Sequence, residues 1–119
     1  MISDETFAKK ERLIKTKDFR KVYKDGRSHK AGSIVLRSLP NAAPESRVGF
    51  SISAKSVKRA FRRNRIKRLF REAYRKNKKS LKNGFDMVFV VRRDVATGFS
   101  YSDAEKVFLG LVKQAGILL

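Results

Sequence analysis

The run Phe85 to Arg92, FDMVFVVR, most limits how this chain can fold. Successive strand side chains point to opposite faces, and here both faces are apolar. A strand of that kind is buried on both sides, so the rest of the chain must cover each side of the sheet that holds it. Arg47 to Ser53, RVGFSIS, alternates instead. Val48, Phe50 and Ile52 are expected on the core face. Gly49, Ser51 and Ser53 form a row of small residues on the other, leaving room for something to approach the sheet. Ser33 to Leu39 reads as another strand, Pro40 to Ser46 as a loop, and Arg27 to Lys30 as a candidate short edge strand.

The covering layers read as helices. One is expected from about Lys17 to Asp25, capped by Thr16 and stopped by Gly26 in the position after the C-cap. Its Phe19, Val22 and Tyr23 share a face, and spacing alone assigns at least one of the two aromatics to the core. A second spans about Val57 to Lys78, with Ile66, Leu69, Phe70 and Ala73 on one stripe. Phe61 lies off that stripe: either it packs elsewhere or the helix starts at it. Asn83-Gly84 is a turn signal and Asp94 to Phe99 a loop. The last helix follows a capping box expected at Ser102-Asp103-Ala104-Glu105. It buries Ala104, Val107, Phe108, Leu111, Val112 and Ala115 and ends at Gly116. The order is helix, two or three strands, helix, strand, helix. This is an α+β chain of one domain, residues 1–119, with a small mixed sheet and helices packed mostly on one side. Residues 1–10 are expected to be a loose tail.

Within the second helix lies RRNRIKRLFREAYR, Arg62 to Arg75, in which Glu72 is the sole acid. On a helical wheel Arg63, Asn64, Lys67, Arg68, Arg71 and Arg75 fall on a stripe separate from the apolar one. Like charges at this spacing repel, and the whole chain carries a formal net charge of +19. Residues 55–82 hold 14 Lys and Arg against one acid, whereas residues 83–119 hold four of each sign. One basic surface and one neutral, structural end follow. Such an excess fits a polyanionic partner, nucleic acid before an anionic membrane. Guanidinium forks pair with phosphate oxygens, and Asn64 could read a base edge or a 2′-hydroxyl.

Catalytic signatures are thin. There is no cysteine, which excludes disulfides, thiolate metal sites and a cysteine nucleophile. The one histidine, His29, reads as a surface residue in a turn or edge. Asp86 and Asp94 stand at opposite ends of a strand, roughly 25 Å apart if extended, too far to share a metal. No segment has the length of a signal peptide or membrane span, so the cytoplasm is the expected location.

Arg63 to Arg71, RNRIKRLFR, resembles the R-N-R-x-K-R-x-x-R helix of the bacterial ribonuclease P protein family. Asp18 to Ser28 (DFRKVYKDGRS), Arg47 to Ser53, and Asp86 to Arg92 match its other motifs in order, so the resemblance covers roughly residues 12–119. It implies a left-handed β-α-β crossover, against the usual hand, in the ribosomal protein S5 domain 2-like fold. It also implies no catalytic residue in the protein, since the catalyst is an RNA expected to hold most of the Mg2+, and no residue here is assigned as a metal ligand. The partners implied are that catalytic RNA and precursor tRNA, with no membrane and no protein partner required. Arg62, Arg63, Asn64, Arg65, Lys67, Arg68 and Arg71 are expected to contact the catalytic RNA. Phe19, Tyr23, Arg37 and Ser51 are expected to line a groove for the single-stranded 5′ leader, floored by the small-residue row. Two departures stand out. The usual K-x-G-x-A-V before the basic helix is Ser56 to Phe61, SVKRAF, without the glycine. Arg37 stands where the family often has an aromatic, so a phosphate contact replaces stacking. The basic stripe alone fits a ribosomal or other structural RNA-binding protein equally well.

Overall fold

A computed structural model describes residues 11–13 and 15–119, so the expected N-terminal tail lies outside the described residues. The elements run α1 (Thr16–Asp25), β1 (Arg27–Ala31), β2 (Ile34–Pro40), β3 (Arg47–Ile52), α2 (Ala60–Asn77), β4 (Phe85–Val91) and α3 (Tyr101–Gln114), with a short 3-10 turn at Lys78–Ser80. The sheet order is β1-β2-β4-β3. β1 pairs antiparallel with β2 and β2 with β4, while β3 and β4 are parallel and joined through α2. The doubly apolar strand is thus β4, an interior strand of the sheet, as its composition requires.

Strand alternation sorts the two layers. Ile34, Leu36, Val48, Met87, Phe89 and Val91 join Ile66, Phe70, Phe108, Leu111 and Val112 in the main core, under α2 and α3. Phe89 sits at its centre, with ring centroids 5.2 Å from Phe108, 5.9 Å from Phe50 and 6.0 Å from Phe70. The opposite face carries a smaller cluster of Leu13, Val22 and Val88, with Phe19, Leu39 and Val90 packed against it. Among the described residues, α1 and the segment before it are what cover that face, and part of it is left open.

Several local expectations shift. Thr16 lies inside α1, whose N-cap is Lys15 without a side-chain hydrogen bond. Gly26 has φ −77°, so it is not needed for a left-handed turn. A Cβ there would run into the carbonyl oxygens of Val22 and Ser38, so the glycine lets α1 lie close on β2. The box that starts α3 is Ser100 with Asp103, two residues earlier than expected. Ser100 Oγ accepts from the Asp103 amide, and the Asp103 carboxylate accepts from the Ser100 amide at 2.8 Å. That second bond holds the Asp103 carboxyl below its ordinary pKa. Tyr74, outside the expected stripe, is buried and donates to Glu11 at 2.9 Å. His29 lies in β1, half-buried rather than on the surface.

Candidate nucleic-acid interface

The register of the open face defines its rows. Arg47, Asp86 and Leu39 form one. Gly49, Val88, Arg37 and Ser28 form the next, and Ser51, Val90, Val35 and Lys30 the third. The first row is a lock. Asp86, only 4% exposed, accepts from Arg47 Nε at 2.9 Å, Arg47 Nη2 at 2.7 Å and Asn41 Nδ2 at 2.9 Å. Arg47 also reaches Asp18 of α1 at 3.3 Å, which ties α1 to the sheet. Hydrogen bonding to Asp86 raises the already high pKa of this guanidinium.

The second row shows what lies over the expected groove floor at Gly49. Gly49 is buried beneath α1: a Cβ built on it would stand 2.6 Å from Phe19 Cζ and 3.2 Å from Leu13 Cβ. Gly49 therefore seats the Phe19 ring, and its backbone contributes to the wall of the cleft at the β3 edge. Phe19 is half-buried, and Tyr23, one turn on, is 39% exposed. Arg37 braces this end of α1. It donates to the carbonyl oxygens of Tyr23 and, at 3.4 Å, of Gly26, where the helix dipole favours a cation. Its guanidinium carbon lies 5.9 Å from the Tyr23 ring centre.

Beyond Tyr23 the sheet opens into a cleft of about 420 Å³, lined by Tyr23, Ser28, Lys30, Val35, Arg37, Val90 and Arg92. Its floor is apolar and its rim cationic. Ser51 continues the floor beyond Val90 at the β3 side; Ser53 lies past the end of the strand. Lys30 and Arg92 are the charged residues of this cleft that the motif reading missed. Strand parity supplies the signal for both, because Arg92 continues the Val88, Val90 alternation and Lys30 is two residues from Ser28.

The α2 arginines divide into two groups. Arg62 forks onto Asp94 at 2.8 and 2.9 Å and reaches the Val95 carbonyl at 3.3 Å. That fork depresses the Asp94 pKa and raises that of Arg62. Arg63 bridges the carbonyls of Val57 and Lys58 at 2.8 and 2.9 Å, and Arg65 donates to the Phe99 carbonyl at 2.8 Å. These three hold the loops that flank α2. Among the described residues, Asn64, Lys67 and Arg68 have no hydrogen-bonding or ionic side-chain partner. Arg71 lies over the Phe50 ring at 6.0 Å. The groove and this stripe meet at the β3 edge, where a cleft of about 280 Å³ is lined by Phe19, Gly49 and Phe50 and by Lys67 and Arg71.

Among the described residues, no three His, Asp or Glu side chains gather as a metal ion would need. Asp86 and Asp94 are both engaged by arginines. No helix among the described residues is long and apolar enough to cross a membrane. What remains is a cationic stripe beside an apolar-floored cleft, shaped for single strands and phosphates.

The model of the family described as Ribonuclease P matches residues 7–116. The ribonuclease P protein component of Clostridium botulinum (strain Loch Maree) is 39% identical over 110 residues, covering 92% of this chain and 97% of its own. That of Clostridioides difficile (strain 630) is 42% identical over 106 residues, covering 88% and 91%. A solved structure of a Staphylococcus aureus RNase P protein mutant with defective mRNA degradation activity superposes with a TM-score of 0.83 at 27% identity, covering 92% of each chain.

Proposed function

Because the chain belongs to the ribonuclease P protein family, and so to a tRNA-processing endonuclease that includes an RNA, we propose a division of labour between its two surfaces. The α2 stripe grips the catalytic RNA, and the groove between α1 and the sheet holds the single-stranded 5′ leader of precursor tRNA. The observation that carries this reading is the cleft of Tyr23, Arg37, Lys30 and Arg92 lying on the same side as the Phe19 end of α1, which meets Lys67 and Arg71 at the β3 edge.

The two surfaces have different tasks. Asn64, Lys67, Arg68 and Arg71 neutralise phosphates of the catalytic RNA and release its counterions. Arg62, Arg63 and Arg65 act mainly by setting the loops around α2, with their remaining donors toward RNA. In the groove, Phe19 and Tyr23 offer ring faces to unpaired bases. Ser51 and Ser28 offer hydroxyls, and Arg37, Lys30 and Arg92 offer charge to the leader backbone. The protein positions, and the RNA with its Mg2+ performs the hydrolysis. No step passes through a side chain of this protein, which is consistent with described acids that form no group able to hold a metal ion.

Reconstitution tests the proposal. Purified protein alone leaves precursor tRNA intact, and adding the ribonuclease P RNA restores cleavage at the mature 5′ end. Specific 5′ cleavage by RNA-free protein would overturn the division of labour. Phe19→Ala weakens binding of precursor tRNA and spares mature tRNA; equal losses for both would remove Phe19 from the groove.

A further inference from the structure

Phe61 is 64% exposed in the first turn of an 18-residue helix. The other large exposed hydrophobics among the described residues are Tyr23, in the groove, and the terminal Leu119. Phe61 belongs to neither apolar cluster. Among the described residues, no aromatic or cationic side chain covers either face of its ring. An uncovered phenyl ring on a rigid helix is a cost in water that the fold does not recover.

Its neighbours say what would cover it. On a 100° wheel Arg68 is about 20° from Phe61, Arg65 about 40° and Asn64 about 60°. The ring therefore stands within the basic stripe, roughly 10 Å along the axis from Arg68. Arg65 is held by the Phe99 carbonyl, so its guanidinium does not fold over the ring. A second copy of this chain would bring two such cationic faces together, which a net charge of +19 opposes. An unpaired RNA base brings a π-face for the ring and a phosphate for the cation beside it.

We propose that Phe61 is a stacking platform for one unpaired base of the catalytic RNA. Arg68 takes a neighbouring phosphate, and Asn64 reaches the base edge or the 2′-hydroxyl. The proposal rests on α2 being the grip on that RNA, and adds a contact that reads strand state rather than charge. A duplex segment offers no free base face, so Phe61 selects a bulge or loop.

The chain has no tryptophan, so Phe61→Trp introduces a single fluorescent reporter at the site. The probe is the ribonuclease P RNA transcript of the source organism. Phe61→Ala is expected to weaken its complex with the protein roughly five- to 150-fold at fixed salt. The slope of log affinity against log salt stays unchanged, because no charge is lost. Phe61→Trp retains affinity, and its emission is quenched as RNA saturates. Coincident thermal melts of the free variants show that the fold is kept. Wild-type affinity for Phe61→Ala, or unquenched emission at saturation, overturns the stacking assignment. Arg68→Ala separates this from failure of the underlying reading. If it flattens the salt slope while Phe61→Ala is silent, only the stacking is wrong; if neither variant changes anything, α2 is not the grip. Loss of a concentration-dependent self-association of RNA-free protein in Phe61→Ala, with RNA affinity intact, would make the ring a contact between copies and also sink the proposal.

Discussion

Gly49→Ala tests whether this position seats Phe19 or faces the ligand. The added methyl would stand 2.6 Å from Phe19 Cζ and 2.8 Å from Cε1, against an ordinary carbon–carbon contact of roughly 3.5–4.0 Å. The ring must therefore retreat by about 1 Å. Overpacking of a tight site costs about 1–3 kcal/mol. The clash is with the far end of a side chain that has an open groove beside it, so the lower half of that range is expected. For a domain of this size that lowers Tm by roughly 3–8 °C. Phe19→Ala removes the obstacle at the price of a partly buried ring, roughly 2–4 kcal/mol. In that background the two closest obstacles are gone and the Leu13 Cβ stands 3.2 Å from the new methyl. Gly49→Ala should then be neutral or slightly stabilising, since alanine restricts the unfolded chain. The double-mutant cycle by thermal melts should give a coupling of about 1 kcal/mol or more. Leader affinity should fall in Gly49→Ala because Phe19 is displaced. If Gly49→Ala costs the same stability with and without Phe19, or weakens leader binding with no loss of stability, the seat is the wrong description and the glycine faces the leader.

Asp86→Asn leaves an amide facing Arg47 or Asn41 donors in a site that is nearly closed to water. With Arg47 still partly exposed and still near Asp18, the loss should be about 3 kcal/mol, seen as a lower denaturant midpoint at unchanged slope; a change below about 1 kcal/mol would mean that the lock is slack. Asp94 has a depressed pKa in the fold because Arg62 hydrogen-bonds its carboxylate. The clamp on the following loop is therefore complete above the ordinary aspartate pKa and is lost as pH falls through the lower, folded value. The Val95 amide, which donates to Asp94, reports this by NMR titration. Its midpoint should lie below roughly 3.9 and rise in Arg62→Ala, whereas a midpoint at or above the ordinary value would show the ion pair absent in solution.

What could be read in the chain depended on how local its cause is. The doubly apolar run Phe85 to Arg92 made β4 an interior strand, because burial on two faces has one structural meaning. The apolar stripe Ile66, Phe70, Ala73 and the last helix were legible for the same reason. The start of α3 was not, since Ser100 with Asp103 and Ser102 with Glu105 both have the spacing of a capping box. Tertiary contacts decide between them: Glu105 is taken by Tyr101 and by Asn77 of α2. Tyr74 falls near the basic stripe on the wheel, yet it is buried in the main core against Phe108 of α3, and Glu11, 63 residues away, accepts from its hydroxyl. Phe19 and Tyr23 lie on the sheet-facing side of α1, as their spacing requires. The packing of Phe19 over Gly49 was not legible, because strand parity shows which face a residue takes but not what lies above it.

The same limit applies to the arginines of α2, which look equivalent in sequence and are not equivalent in space. Arg62 finds Asp94 across 32 residues and Arg65 finds the Phe99 carbonyl across 34. Arg63 closes the loop before the helix. Their bonds need a planar fork or a long reach, which lysine's single ammonium does not reproduce. Counterion release, in contrast, depends on charge and hardly on its geometry. Arginine-to-lysine exchange therefore separates the two roles. Arg63→Lys with Arg65→Lys keeps every charge and should lower Tm, with about 1–3 kcal/mol lost at the two carbonyls that Arg63 bridges. Its salt slope for binding catalytic RNA should match the wild type. Arg68→Lys with Arg71→Lys should leave both Tm and slope nearly unchanged. Arg68→Ala with Arg71→Ala should leave Tm alone and flatten the slope by roughly 1.4–1.8 if each arginine neutralises one phosphate. The opposite pattern, with stability sensitive to Arg68 and Arg71 and slope sensitive to a lysine at 63 or 65, would reverse which arginines hold the protein and which hold the RNA.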